Sequence, residues 1–142
     1  MEQYLPAVID ITKAAGAVVM SFYRSAYDVT DKSPDNPVTD ADFASDTLLK
    51  ERLQALLPQA GWLSEETADT PDRLDKSLLW CVDPIDGTKE FIMGIPEFSV
   101  SVALVENGLP ILAVIFNPAT GELYSAAKGH GFQFNGAAHT VS

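Results

Sequence analysis

The sequence predicts an α+β fold, in which two helices pack on one face of a largely antiparallel sheet. Apolar residues recur at three- and four-residue spacing over two segments of the first half, which is typical of amphipathic helices. In the second half, Asn107-Gly108 separates two apolar runs, a pattern that favours a β-hairpin. Helices that precede a run of strands indicate an α+β arrangement. We therefore expect one domain over residues 1–142.

The N-terminal segment predicts an amphipathic helix that ends near Arg24. Pro6 is compatible with this helix because it falls in the first turn, where its missing N–H removes no hydrogen bond. We expect the helix to be scaffold. The residues that share its apolar face are Leu5, Val8, Ile9, Thr12, Ala15, Gly16, Val19, Phe22 and Tyr23.

The polar stretch Asp28 to Asn36 predicts a loop with a short extended piece. The second helix is predicted to open within Pro37-Val38-Thr39-Asp40-Ala41-Asp42 and to stop at Pro58. Thr39 suits the N-cap, and Asp42, three residues later, suits the acidic position of a capping box. The apolar residues that repeat along this helix are Leu49, Leu53 and Leu56.

Strand patterns occupy the rest of the chain. Trp62-Leu63-Ser64-Glu65-Glu66 predicts a short strand that ends in two acids, and a charged connector follows over residues 69–76. The apolar run Leu78 to Val82 predicts a buried strand, and the short strand could lie alongside it. After a helical turn and loop over residues 91–96, an antiparallel meander is predicted from the strands Phe98–Glu106, Leu109–Phe116, Glu122–Ala127 and Phe132–Asn135.

Composition and charge exclude several classes of function. The chain is 46% hydrophobic, which argues against disorder, and its net charge of −11 argues against binding to nucleic acid or to an anionic membrane. No N-terminal segment combines a basic start with a long apolar core, as a secretory leader does, and no apolar run reaches the ~20 residues of a membrane helix. We therefore expect a cytoplasmic protein without a membrane span. The single cysteine, Cys81, excludes an internal disulfide and predicts a packed thiol. His130 and His139 have no ligand partner by spacing, so we expect both at the surface.

The segment Asp83-Pro84-Ile85-Asp86-Gly87-Thr88 has the pattern of a metal site. Two carboxylates follow a buried strand, and Pro84 and Gly87 permit a turn sharp enough to direct both at one point. A helix that starts near Thr88 would offer the N–H groups of Gly87 and Thr88 to a phosphate oxygen. Because carboxylates attract cations and N–H groups attract anions, the motif predicts a metal ion that bridges protein to phosphate.

Asp42 and Glu65 also fall at boundaries of predicted elements, where they could converge with Asp83 and Asp86. All four are hard oxygen ligands, which suit Mg²⁺ or Mn²⁺ and suit zinc poorly. A hydrogen bond between Thr88 and Asp42 would allow this pair to orient a water for in-line attack on phosphorus. The sequence therefore predicts metal-assisted hydrolysis of a phosphate ester.

Three of the acidic residues, and Lys32 in the predicted loop, also have a simpler structural interpretation. Asp42 could serve only as a helix cap, Glu65 and Glu66 could end a strand in a solvated loop, and Lys32 could be a solvated side chain. A Ca²⁺-binding loop is a weaker alternative, because the segment lacks the alternating acids and the distant glutamate of an EF-hand.

The motifs resemble the inositol monophosphatase family of magnesium-dependent, lithium-sensitive phosphomonoesterases. The resemblance is carried by Asp83 to Thr88, preceded by Ser64-Glu65-Glu66 and by Val38-Thr39-Asp40-Ala41-Asp42. The extension Lys89-Glu90-Phe91-Ile92 is similar to that of the CysQ-like 3′(2′),5′-bisphosphate nucleotidase branch. For the fold, this resemblance implies the N-terminal domain of a sugar phosphatase.

By this resemblance, the acids would bind two or three Mg²⁺ ions, with Mn²⁺ as an alternative. Glu65, Asp83 and the backbone carbonyl of Ile85 would hold the first ion, and Asp83 with Asp86 would hold the second. Glu65 would also border a third, more weakly held ion.

The resemblance implies roles for the remaining residues as well. Asp42 and Thr88 match the pair that positions the nucleophilic water, and Gly87 with Thr88 matches the phosphate-binding amides. Lys32 matches a basic residue of a mobile N-terminal loop. Glu66 adjoins the ligands, with no direct role implied.

The function implied is hydrolysis of a small phosphorylated metabolite, with 3′-phosphoadenosine 5′-phosphate as the first choice and an inositol or other sugar monophosphate as the alternative. The family also implies a C-terminal α/β domain, absent from residues 1–142, with a Trp-Asp motif whose aspartate completes the second metal site. No Trp-Asp occurs in this sequence. A non-catalytic cation-binding or interaction domain therefore stays open, as does self-association through the face that the further domain would cover.

Overall fold

The computed structural model describes residues 1–23, 28–33, 36–66, 76–135 and 137–139. Its helices are α1 (Leu5–Phe22), α2 (Asp40–Leu56) and α3 (Thr88–Met93), with a short 3₁₀ turn at Glu2–Tyr4. Its strands are β1 (Val29–Ser33), β2 (Asn36–Thr39), β3 (Gly61–Ser64), β4 (Leu78–Asp86), β5 (Ser99–Glu106), β6 (Leu109–Asn117), β7 (Glu122–Ala127), β8 (Phe132–Phe134) and β9 (Ala137–His139).

Strands β3 to β9 form one sheet in sequence order, and β1 pairs with β2 in a separate hairpin. Every pair in the larger sheet is antiparallel except β3 with β4, which run parallel. The helices α1 and α2 pack against each other, α1 also lies on β5 and β6, and α2 lies on β4. The predicted α+β class, with two helices on a largely antiparallel sheet, is confirmed.

The core lies between these two helices and the sheet. Alternate residues of β4 are buried, as expected for a strand with one face toward a hydrophobic layer. Trp80 is fully buried on β4, the strand next to the edge strand β3, and Leu49 and Leu53 of α2 are also fully buried. This packing holds α2 against β4.

Gly16 shows how closely α1 lies to the sheet. A Cβ atom at this position would meet ring carbons of Phe116 at 2.6 and 2.7 Å and the Cβ of Pro118 at 3.2 Å. Since real Cβ atoms do not approach other atoms that closely, only glycine fits here without a shift of the ring or of α1.

The structure corrects three boundaries predicted from the sequence. The stretch Asp28 to Asn36, predicted as a loop with a short extended piece near Val29, contains the strand β1 at that place and the start of β2, which pairs with it. The helix α2 begins at Asp40, directly after Thr39, which agrees with the predicted N-cap. The buried strand β4 continues to Asp86, four residues beyond its predicted end at Val82, and residues 137–139 add an unpredicted strand. The connector 69–76 lies outside the described residues, apart from its last residue.

The N-terminal helix modifies the prediction about membrane spans. Of the helices in the described ranges, the one over Glu2–Phe22 is long and apolar enough, by composition, to cross a membrane. A buried core helix can have the same length and apolar composition. The buried face of this helix consists of Val8, Thr12, Ala15, Gly16 and Val19. This segment contains no uninterrupted apolar run of that length, because charged residues such as Asp10 and Lys13 interrupt it.

Candidate metal and phosphate site

The site is built at the C-terminal end of β4. Asp83 lies opposite Ser101 of β5 and Asp86 lies opposite Ser99, so three steps along β4 match two along β5. This extra residue is a bulge-like irregularity, which bends a strand and redirects its side chains. Pro84 and Ile85, between the two acids, are buried, whereas Asp86 is exposed. The predicted turn between the two carboxylates is therefore part of a strand with an irregular register.

The parallel pairing of β3 with β4 brings Glu65 to the same edge of the sheet. Ser64 is the register partner of Val82, so the next residues along the two parallel strands are Glu65 and Asp83. The sequence could only suggest that the short strand lies beside β4. The structure shows that it does, and in the orientation that places both acidic ends together.

The carboxylates at this edge repel one another. The pKa of Asp83 is raised from 3.8 to about 7, first by burial of the carboxyl group and then by the negative charges of Asp86, Glu65, Glu66 and Asp42. With a pKa near neutrality, Asp83 is only partly ionised at neutral pH, and nearby positive charge would favour its ionised form. The predicted convergence of acids is thus visible in the electrostatics of Asp83.

Asp42 lies beside this edge, on the first turn of α2, and is completely buried. Its Oδ2 accepts hydrogen bonds from the Thr39 N–H at 2.8 Å and the Thr39 hydroxyl at 2.6 Å. The predicted N-cap and capping box are therefore confirmed. Its second oxygen, Oδ1, accepts a hydrogen bond from the Thr88 hydroxyl at 3.0 Å. The capping interpretation and the predicted Thr88–Asp42 hydrogen bond are both correct, because each uses a different oxygen.

Gly87 joins β4 to the six-residue helix α3, which begins at Thr88 as predicted. Its φ of +96° lies in the left-handed region, and a Cβ at this position would meet the carbonyl oxygen of Glu97 at 2.7 Å. Position 87 therefore requires glycine, both for its positive φ and because a Cβ atom would collide with the Glu97 carbonyl. The first N–H groups of a helix have no partner within it, which keeps the predicted phosphate-binding role of Gly87 and Thr88 available.

The remaining predicted residues are placed as follows. Glu66 lies next to Glu65, and its N–H donates to the Ser64 hydroxyl at 3.2 Å. The backbone of Lys32 lies in β1, but its side chain, like that of His139, is outside the described part of the structure. His130 is exposed, as expected, and its Nε2 lies 2.8 Å from Glu2 Oε2. Cys81 is only partly buried.

A cage of three acids is not preformed. Across the described ranges, no group of three or more His, Cys, Asp and Glu side chains is arranged so that it could hold a metal ion. Mg²⁺ commonly keeps several waters and binds through one or two carboxylates plus a phosphate of its substrate. The oxygen donors of Asp83, Asp86 and the Ile85 carbonyl form a set of this kind. Together with the raised pKa of Asp83, their chemistry fits a hard divalent cation.

Two polar residues behind the site, Ser45 and Asp46, were not predicted from the sequence. Ser45 is fully buried, and its hydroxyl donates to the Pro84 carbonyl oxygen at 3.0 Å. Asp46 is also buried, and its Oδ1 accepts a short hydrogen bond from the Ser64 hydroxyl. One signal was present in the sequence: Ser45 and Asp46 follow Asp42 by three and four residues, which places all three on one face of α2.

Three comparisons relate the chain to known proteins. The model of the inositol monophosphatase family matches residues 1–142. The 3′(2′),5′-bisphosphate nucleotidase CysQ of Escherichia coli O157:H7 is 42% identical over 130 residues, which cover 88% of this chain and 52% of that protein. The solved structure of the Thermotoga maritima IMPase has a TM-score of 0.90 at 31% identity, covering 100% of this chain and 54% of that one.

A further solved structure, an IMPase/NADP phosphatase complexed with Mg²⁺ and phosphate, shares the fold at a TM-score of 0.86 and 22% identity, over 96% of this chain and 52% of that one. The chain thus spans about half the length of the relatives it matches.

Proposed function

Because this chain belongs to the inositol monophosphatase family, we propose that it supplies the metal- and phosphate-binding half of a Mg²⁺-dependent phosphomonoesterase. The observation that carries the proposal is the hydrogen bond from Thr88 to the buried Asp42, formed directly beside the strand end that bears Asp83 and Asp86. A hydroxyl oriented by a buried carboxylate, next to clustered acids, is an arrangement suited to activating water at a metal-bound phosphate.

In this proposal, Glu65, Asp83 and the Ile85 carbonyl hold one Mg²⁺, and Asp83 with Asp86 holds a second. A third ion would border Glu65, and Mn²⁺ could replace Mg²⁺. When bound, such cations lower the pKa of water and stabilise the leaving oxygen. They would also compensate the repulsion that raises the pKa of Asp83.

The protein's own residues orient the reactants. The Thr88 hydroxyl has two acceptors within reach, Asp42 Oδ1 at 3.0 Å and the Ile85 carbonyl at 3.3 Å, and the charged and nearer Asp42 is the stronger. The hydroxyl therefore donates its hydrogen bond to Asp42, which leaves the lone pairs of Thr88 Oγ1 to accept a hydrogen bond from the attacking water and so orient it. The N–H groups of Gly87 and Thr88 would donate hydrogen bonds to phosphate oxygens.

For the substrate, we propose a 3′(2′),5′-bisphosphate nucleotide such as 3′-phosphoadenosine 5′-phosphate. The 42% identity to CysQ and the Lys89-Glu90-Phe91-Ile92 extension favour this choice. Inositol 1-phosphate is the second candidate, favoured by the TM-score of 0.90 to the Thermotoga maritima IMPase.

The experiment measures phosphate release from both substrates, with Mg²⁺ or with EDTA, by the 142-residue chain and by the full product of its natural gene. Mg²⁺-dependent turnover that is faster on the bisphosphate nucleotide supports the proposal. Turnover that is faster on inositol 1-phosphate selects the second candidate. Mg²⁺ binding without turnover by either protein would overturn the enzymatic proposal and favour the cation-binding domain.

A further inference from the structure

One turn of α2 makes hydrogen bonds to three separate segments that carry the candidate site. Asp42 accepts from Thr88 of α3, Ser45 donates to the Pro84 carbonyl of β4, and Asp46 accepts from Ser64 of β3. Residues three and four apart lie on the same face of a helix. The sheet edge with the acids is thus attached to α2 at three points by directional bonds.

Ser45 binds β4 at the place where the regular backbone hydrogen bonds between β4 and β5 are interrupted. The register of the two strands shifts between Asp83 and Asp86, so the regular hydrogen-bond pattern is interrupted at the turn between the two acids. The Pro84 carbonyl lies within this turn and accepts the bond from the buried Ser45 hydroxyl at 3.0 Å. Ser45 therefore restrains the Pro84–Ile85 peptide unit, which lies between Asp83 and Asp86.

Asp46 holds the end of β3 in a similar way. In the sheet as described, β3 is an edge strand that pairs only with β4, and Ser64 is its last paired residue. The Ser64 hydroxyl donates to Asp46 and accepts the N–H of Glu66 at 3.2 Å. Both neighbours of Glu65 are thus tied to α2 through one hydroxyl group.

We propose that Ser45 and Asp46 are positioning residues that act, through Pro84 and Ser64, on the separation of Glu65 from Asp83 and Asp86. The inference rests on the proposed metal-dependent function and adds two residues to it that touch neither metal nor substrate. An apolar residue could fill the same space, but it could not fix the distance between strand ends by a directional bond. Ligand geometry is sensitive to shifts of about 0.5 Å.

The test is the affinity of the purified chain for Mg²⁺, measured by titration calorimetry, in the variants Ser45→Ala and Asp46→Ala. We expect each to weaken binding about tenfold, the effect typical of losing a partner that orients metal ligands. Thr12→Val is the matched control, because the Thr12 hydroxyl is equally buried and donates to the Val8 carbonyl at 2.7 Å, but within α1. It should lower stability and leave Mg²⁺ affinity unchanged.

Conservative variants separate positioning from simple loss of packing. Ser45→Thr retains the hydroxyl, and Asp46→Asn retains an oxygen that can accept from Ser64, so both should recover most of the affinity. Asp46→Ala combined with Ser64→Ala should weaken binding no more than Ser64→Ala alone, because Ser64→Ala already removes the bond to Asp46 together with the one from the Glu66 N–H.

Variants that bind Mg²⁺ as tightly as the wild-type chain would overturn the inference, even if the wild type is an active phosphatase. Loss of affinity in Thr12→Val equal to that in Ser45→Ala would also overturn it, since general destabilisation would then explain both. Conversely, a weakened Mg²⁺ affinity in a chain without any turnover would support positioning while the proposed enzymatic function fails.

Discussion

Asp42 and Asp83 lie at the same site, yet their environments are opposite. Asp42 is completely buried, and hydrogen-bond donors from Thr39 and Thr88 satisfy both of its oxygens. Asp83 is only partly buried, but it faces other carboxylates, and its pKa is raised to about 7. The more deeply buried acid is therefore the better compensated one, because burial of a charge is tolerated when donors surround it.

This difference separates two regions of the site. On the helical side, the protein itself supplies every hydrogen-bond donor that Asp42 accepts from, and these bonds contribute to stability. The strand side, around Asp83, carries uncompensated negative charge, so it opposes folding until a cation or a proton binds. Substitutions on the two sides should therefore change stability in opposite directions, and the following predictions test that contrast.

The largest effect is expected from Asp83→Asn. Loss of a shared ligand should weaken Mg²⁺ binding and phosphate release by more than about 100-fold, beyond the effect of losing an outer partner. In EDTA at pH 8, the same variant should be more stable than the wild-type chain, since one repelling charge is removed. Calorimetry, a phosphate assay and a denaturant titration measure the three quantities.

Asp10→Asn is the control for Asp83→Asn, because it removes one negative charge from an exposed position on α1. It should change none of the three quantities appreciably. Retained activity in Asp83→Asn would refute the assigned metal site.

Thr88→Ala should reduce turnover about 100-fold, a typical loss for a group that orients a proton transfer. Mg²⁺ affinity should remain near that of the wild type, because the proposed metal ligands are unchanged. Thr88→Ser, which retains the hydroxyl, should recover most of the turnover. If Mg²⁺ affinity and turnover fell together, Thr88 would belong to the metal site and not to the water-orienting pair.

Asp42→Ala should destabilise the chain by about 2 kcal/mol, because it removes the capping box and leaves donors of Thr39 and Thr88 without their acceptor. A denaturant titration in EDTA measures this loss. The sign is the informative result, as it is opposite to that expected for Asp83→Asn. A stabilised Asp42→Ala variant would show that the two sides of the site do not differ as described.

A further prediction concerns pH. The folded-state pKa of Asp83, about 7, lies above its ordinary value of 3.8, so its contribution to stability is fully present below about pH 4 and is lost as pH rises through 7. In EDTA, the stability of the wild-type chain relative to Asp83→Asn should therefore fall between pH 5 and pH 8. Saturating Mg²⁺ should reduce or reverse this trend. A difference that does not vary with pH would contradict the raised pKa.

The capping box of α2 and the hairpin at Asn107-Gly108 could be predicted because their signals are local. Both depend on residues within a few positions of each other, and the structure contains both. The parallel pairing of β3 with β4 could not be derived, because nothing in the sequence between them sets the direction in which the strands meet.

The hairpin of β1 and β2 was missed because its residues are polar and include proline, which are signals of a loop. At the site, the acids were detectable because they cluster in charged motifs. Ser45 and Asp46 were not, since a serine and an aspartate inside a helix have no distinctive pattern until the helix is docked on β4.

The position of β3 at the border of the sheet has a consequence for amide hydrogen exchange. An outermost strand with one neighbour opens more often than the strands inside a sheet, so the protons of Gly61 to Ser64 should exchange with solvent sooner than those of β4 or β5. Glu65 follows this strand directly, and an ion that binds it would oppose the opening. Retarded exchange along β3 on addition of magnesium would thus report occupancy in a chain that turns over no substrate.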